Sequence, residues 1–215
     1  METLSYALLE GTLYSFIFAL VALLLCVPIS IFIAVMLSGE SLLVKGLLYL
    51  LDVFIALPNQ LLLLVMAAVL GGSPSALLLS VFITQMPGCV RHFRVHFFRA
   101  YAEAHVEAAR ALGIPGFRLF FIHVLPRVWG PLSVYLAVFI KRVILMEAVL
   151  TFLGLGFDPL TPSLGRLIAE GKGALFYNPV YFLAPVGVLA LSLYFLQKVS
   201  DRFSLLFRGP GVRYL

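Results

Sequence analysis

The chain has 215 residues, of which 62% are hydrophobic and 12% charged. Soluble domains run at about 45–50% apolar and about 25% charged, so a soluble fold could not hide this much apolar surface, and runs longer than the roughly 20 residues needed to span a bilayer make this a one-domain polytopic membrane protein. The net charge of +5 reads as orientation of membrane loops rather than as a nucleic-acid surface.

Five spans are predicted in chain order. The first runs from Gly11 to Leu37, with Pro28 inside it, and neighbouring helices can satisfy the carbonyl that proline frees. It has no basic leader and no small-residue cleavage site, so no removable signal peptide is read there. Ser38 to Lys45 is a short polar loop. The second span covers Leu47 to Leu70, with Asp52 near its start and Pro58-Asn59-Gln60 within it. Gly71-Gly72-Ser73-Pro74 is a turn by composition. The third span, Ala76 to about Val90, is interrupted by Pro87-Gly88. The fourth covers Val128 to Leu153, and the fifth Pro179 to Val199. A glycine- and proline-rich external connection occupies 154–178. A basic tail starts at Asp201.

The long polar-patterned segment lies between the third and fourth spans, over 100–127. It reads as two short helices with a glycine turn between them. At 100° per residue Glu103, Glu107 and Arg110 share one stripe, and Tyr101, His105, Ala108 and Leu112 share the opposite one. Gly113 ends the first helix, because glycine accepts the left-handed conformation. Pro115 suits the first turn of the second, and Pro126 marks the next boundary.

Sidedness follows from the basic residues. Lys45, Arg91, Arg94, Arg99, Arg110, Arg118, Arg127, Lys198, Arg202, Arg208 and Arg213 fall on one side, and only Arg166 and Lys172 on the other. The first side is therefore predicted to be cytoplasmic, with the C-terminus, and the odd span count puts the N-terminus outside.

The segment Glu107-Ala108-Ala109, then Gly113, then His123-Val-Leu125-Pro126 resembles the EAA coupling motif of ABC-importer membrane subunits. The His-x-Leu-Pro ending is similar to the dipeptide, oligopeptide and nickel permease branch. A second stretch agrees: Glu147-Ala148, Thr151 to Gly156 (TFLGLG), Pro159-x-Thr161-Pro162-Ser163-x-Gly165 and Ala169-Glu170-Gly171, with Leu164 where the branch often has tryptophan. The resemblance implies an all-α permease of about five transmembrane helices with a cytoplasmic coupling helix, in a bacterial inner membrane. It implies a second homologous permease subunit, two cytoplasmic ABC ATPases and an extracytoplasmic solute-binding protein as partners. ATP and magnesium would belong to the ATPases, and this chain would hold no cofactor. The cargo implied is a peptide, nickel or a nickel chelate. Permeases of the branch carry one more helix before the five-helix core, so the resemblance implies a short variant or a chain that starts late.

Residues assigned to ATPase coupling on this reading are Glu103, Glu107, Ala108, Ala109, Gly113, His123, Leu125 and Pro126. Candidates for the translocation path or gate are Lys141, Arg142, Glu147 and Asp158. Lys141 and Arg142 lie mid-span, where an uncompensated charge costs about 2.5–3.5 kcal/mol on insertion scales. They must meet a cavity, a partner charge such as Glu147, the second permease or a substrate carboxylate. Asp52 is expected to pair with a basic residue of the neighbouring loop. Two other readings stay open: a membrane metal enzyme using His92 and His96 at i, i+4, and a non-transporting assembly protein. Against the first, no carboxylate accompanies the histidines in the H-E-x-x-H manner, and arginines surround them. Cys26 and Cys89 show no metal or disulfide spacing. No P-loop is present in the sequence.

Overall fold

The computed structural model describes residues 2–39, 41–156 and 161–207, and the secondary structure of those residues is entirely helical. The helices are α1 (Glu2–Met36), α2 (Leu42–Ala56), α3 (Asn59–Leu70), α4 (Pro74–Tyr101), α5 (Ala104–Ala111), α6 (Gly116–Leu119), α7 (Leu125–Phe152), α8 (Leu164–Ala174) and α9 (Val180–Phe207), with a π-helical turn at Phe120–Val124 between α6 and α7.

Among the described residues, α1 and α9 are long and apolar enough to cross a membrane, and α2 with α3 forms a third such unit, bent by 90°. The more polar α4 and α7 are each 28 residues long, about 42 Å at 1.5 Å per residue. Five long helical units therefore stand where five spans were expected. α1 packs on α4 and α7, while α7 also packs on α8 and α9. α1 makes its close approaches with small residues: Ser15, Ala19, Ala22, Cys26, Ser30 and Ala34 form one buried stripe. Small side chains let helices meet where lipid offers no hydrophobic drive for association. Leu9, Leu13, Leu20, Leu24, Phe32, Leu191, Tyr194 and Phe195 point outward, as a hydrocarbon-facing surface requires.

Several boundaries differ from the sequence-based expectation, each for a local reason. α1 begins at Glu2 rather than Gly11. The second span is not one helix. Leu57 takes an extended conformation ahead of Pro58, as the residue before proline tends to, and α3 restarts at Asn59, with the N–H groups of Leu61 and Leu62 returning to the Pro58 carbonyl. α4 runs unbroken through Pro87-Gly88 and eleven residues past Val90, to Tyr101. Its basic residues do not end it because they are anchored: Arg91 pairs with Asp52, and Arg94 Nε donates to the Leu37 carbonyl at 2.8 Å.

Pro126 does not end the second loop helix either. Backbone at Phe120 and Leu125 stays right-handed helical, so Gly116 to Phe152 is one continuous helical run. The π turn resolves the conflict. Proline lacks an N–H and crowds the carbonyl four residues back, and a wider i→i+5 turn ahead of it makes room. The Leu125 N–H accordingly reaches the Phe120 carbonyl.

The connection 154–178, expected to be a loop, is not all loop. Ser163 caps α8, its hydroxyl accepting from the Arg166 N–H at 3.3 Å, and α8 lies as a short wedge against α7 and α9. The expected tail at Asp201 is still helix, to Phe207. Arg208 and Arg213 lie outside the described residues.

Candidate functional site

Residues 102–115 hang a short helix, α5, between two long helical runs. Two residues, Ala102 and Glu103, join α4 to α5, and Leu112 to Pro115 join α5 to the Gly116–Phe152 run. Gly113 sits at φ +79°, in the left-handed region where a side chain is strained. The Ile114 N–H returns to the Ala109 carbonyl at 3.3 Å and the Gly113 N–H to Arg110 at 2.9 Å, which closes the turn as helix C-terminal motifs do.

Glu103 is not displayed on an outer stripe. It occupies the N-cap position of α5, and its carboxylate accepts from Arg127 Nε at 2.7 Å and lies 3.4 Å from His105 Nδ1. Arg127 belongs to the base of α7, so this pair ties the two ends of the segment together. His105 and His123 face each other with ring centroids 6.3 Å apart. Leu125 is partly buried and Pro126 exposed.

The inward face of α5 also departs from expectation. Val106 and Ala109 are buried, whereas Ala108 is exposed and Leu112 is 83% exposed. The helix has turned by about a quarter turn from the orientation its polarity pattern suggests, at 100° per residue. The reason is that its two ends are fixed by the Glu103–Arg127 pair and by the Gly113 turn, and these place Val106 rather than Ala108 over the bundle. Both the charged stripe with Glu107 and Arg110 and the apolar stripe with Ala108 and Leu112 stay accessible. Phe117, 78% exposed, packs at a tilt against Phe121 with ring centroids 4.6 Å apart.

A second cluster sits deep between α1, α7 and α8. Glu147 is fully buried. Its carboxylate accepts from Ser15 Oγ at 2.7 Å and from Thr151 Oγ1 at 3.0 Å. One turn away, α8 lies directly on the α7 backbone: a Cβ at Gly165 would fall 2.4 Å from the Ala148 carbonyl oxygen, and one at Gly171 would fall 2.5 Å from that of Tyr181 on α9. The Glu147-Ala148, Thr151, Ser163 and Gly165 positions of the second sequence motif thus form one junction. Asp158 lies outside the described residues.

Lys141 and Arg142 do not meet Glu147. The Lys141 ammonium donates to Gln197 of α9, and Arg142 reaches Gln85 of α4 at 3.4 Å. Gln85, itself buried, is 2.9 Å from the Met146 sulfur. The two cations therefore point to opposite neighbours from one level of α7. Asp52 pairs with Arg91, as its position suggested. His92 stacks on Tyr135 with centroids 4.1 Å apart and abuts His96 at 4.8 Å. Among the described residues no three His, Cys, Asp or Glu side chains gather so as to hold a metal ion. Ser15, Gln85 and Gln197 were not singled out in the sequence, and Arg127 was named only among the basic residues that set sidedness. A polar residue inside an apolar run was the available signal for Ser15, Gln85 and Gln197.

The profile of the family described as "Binding-protein-dependent transport system inner membrane component" matches residues 26–203. The chain belongs to that family. Over 145 residues it is 33% identical to the dipeptide transport system permease protein DppC of Haemophilus influenzae, covering 67% of this chain and 48% of the relative. It is 27% identical over 150 residues to the oligopeptide transport system permease protein OppC of Bacillus subtilis, covering 70% and 50%. It is 29% identical, over the same shares, to the glutathione transport system permease protein GsiD of Salmonella typhimurium. The chain spans about half the length of these curated relatives. Its fold is that of the inward-facing MetNI methionine ABC transporter, with a TM-score of 0.76 at 17% identity over 96% of this chain and 98% of that one. An amino acid ABC transporter crystal structure matches with a TM-score of 0.74 at 15% identity, over 96% and 97%.

Proposed function

We propose that this chain is the transmembrane permease subunit of an ATP-driven importer of the peptide branch and hydrolyses no ATP itself. The observation that carries the reading is α5. It is a short helix exposed on two faces and joined by tight connections to α4 on one side and to the Gly116–Phe152 helical run on the other. An element held in that way passes a rigid-body displacement into both long helices at once.

In this mechanism two cytoplasmic ATPases grip α5 and close on ATP. Glu107 and Arg110 offer one face to charged or backbone donors, and Ala108, Leu112 and Phe117 offer an apolar one. Glu103, through Arg127, keeps α5 in step with α7. His123, Leu125 and Pro126 form the stem of the handle. Displacement of α4 and α7 then shifts the bundle between inward-open and outward-open states, each favoured by whichever ligand it binds more tightly. The coupling segment and the C-terminus are cytoplasmic, in keeping with the basic side chains gathered there. A second, homologous permease completes the path, and an extracytoplasmic binding protein delivers cargo near 154–178.

The cargo class is peptide-like. The named relatives carry dipeptides, oligopeptides or glutathione, and Lys141 and Arg142 offer cationic groups suited to a carboxylate or a peptide carbonyl. Nickel or a nickel chelate is the alternative within the branch.

The test uses the whole complex, copurified from cells carrying Glu107→Lys or Gly113→Asp, with solute uptake measured in parallel. Loss of ATPase copurification and of uptake is expected. Full retention of both would refute the assigned role of α5.

A further inference from the structure

A pocket of about 360 Å³ opens between α2 and α4, at the end of the bundle where the basic residues gather. Its walls are Lys45, Leu48, Tyr49 and Asp52 from α2, and Arg91, Arg94 and Val95 from α4. Three cations thus face a single carboxylate. Asp52 is already matched by Arg91. Arg94 is oriented through its Nε bond to the Leu37 carbonyl, which leaves its terminal nitrogens without a hydrogen-bond partner among the described residues. Lys45 has no side-chain partner among the described residues. Among the described residues neither positive charge has a carboxylate partner, although the Arg94 guanidinium also lies over the Phe98 ring, 5.8 Å from its centroid. The coupling mechanism has no use for them.

The surroundings narrow the ligand. Leu48 and Val95 give the cleft apolar walls, and the adjoining outer face of α2 carries Leu42, Leu43, Leu47, Leu50 and Val53, all exposed. A ligand here meets cations at one end and a hydrocarbon-facing surface at the other. That is the shape of an amphiphile with an anionic head. Basic pockets between membrane helices suit phospholipid headgroups, and the volume falls in the ordinary range for small-ligand sites.

We propose that this pocket binds the headgroup of an anionic phospholipid, its phosphate held between Lys45 and Arg94 and its acyl chains lying along α2. Assignment to the cytoplasmic leaflet rests on the orientation proposed above; the chemistry of the pocket does not. Bound lipid would fill the angle between the bent α2–α3 unit and α4.

The test titrates the intact permease complex in detergent with dioctanoyl phosphatidylglycerol, dioctanoyl phosphatidylcholine and inorganic phosphate, counting bound molecules by native mass spectrometry. Phosphatidylglycerol is expected to bind at least about tenfold more tightly than phosphatidylcholine, and Lys45→Glu to remove most of that preference, as reversing one of a few interfacial charges should. Lys45→Arg is expected to keep it. Because the exposed Lys45 side chain makes no hydrogen bond or ion pair among the described residues, neither variant should disturb assembly, and uptake by each reports whether the complex is intact. Equal binding of the two lipids, or a preference that survives Lys45→Glu, overturns the proposal. Inorganic phosphate binding as tightly as the lipid also overturns it, because the ligand would then be a soluble anion.

Discussion

Gly165→Ala puts a single methyl group where two backbones already touch. Its Cβ would lie 2.4 Å from the Ala148 carbonyl oxygen, 2.6 Å from the Ala148 Cα and 2.9 Å from its carbonyl carbon. All three neighbours are main-chain atoms, so no side chain can rotate away. Restoring ordinary contact needs α8 to retreat from α7 by roughly 1 Å. The retreat is blocked on the far side, because Gly171 brings α8 equally close to Tyr181 of α9. Overpacking of this kind costs about 1–3 kcal/mol. For a chain of this length each kilocalorie corresponds to about 2–4 °C, on the scale set by soluble domains, so a fall in melting temperature of several degrees is expected for the purified protein in detergent. Gly88→Ala is the control. It too lies in a helix, but open space surrounds its Cβ position, and exchanging a mid-helix glycine for alanine gains about 0.5–1 kcal/mol. A Gly165→Ala protein as stable as the parent, or a Gly88→Ala protein that falls as far, would refute the close-approach argument.

Two more outcomes concern buried polar groups. Glu147→Ala strips the acceptor from the buried Ser15 hydroxyl, and an unsatisfied buried partner costs about 1–3 kcal/mol. Glu147→Gln keeps an acceptor and is expected to restore most of the stability; a gating role for the charge would show instead as lost uptake in a fully assembled Glu147→Gln complex. Lys141→Gln and Arg142→Gln separate cargo contact from packing: if assembly fails while uptake per assembled complex stays normal, neither cation meets the cargo.

The spans α1 and α9 were legible in the sequence because apolar runs near bilayer length leave little choice, whereas the second expected span is a pair bent by 90° and α4 and α7 are more polar. The positions of α5 and of the turn after it were legible too, through the alanine-rich polar pattern and Gly113. The rotation of α5 was not. Polarity records which side chains a partner or solvent can meet, whereas the burial of Val106 comes from the Glu103–Arg127 pair, whose members are 24 residues apart. The helix ends were hidden for the opposite reason. Pro87 and Pro126 are strong local stop signals, and here the surrounding bundle and a π turn override them. Glu147 stood out as a charge in a span, but its neighbours arrive from α1, a separation of 132 residues that no local pattern encodes.

The π turn at Phe120–Val124 holds one residue more than an α-helix would need to cover the same height. The extra residue is taken up inside that turn: four α-helical residues already sweep about 400°, and the wider π turn spreads about the same sweep over five, so the helical runs on either side keep their phase. The heading of α5 around the rod is thus the one a plain α-helix would give, while Pro126 gains the room its ring needs. A single inserted residue at this place can therefore seat a proline in the stem without re-aiming α5.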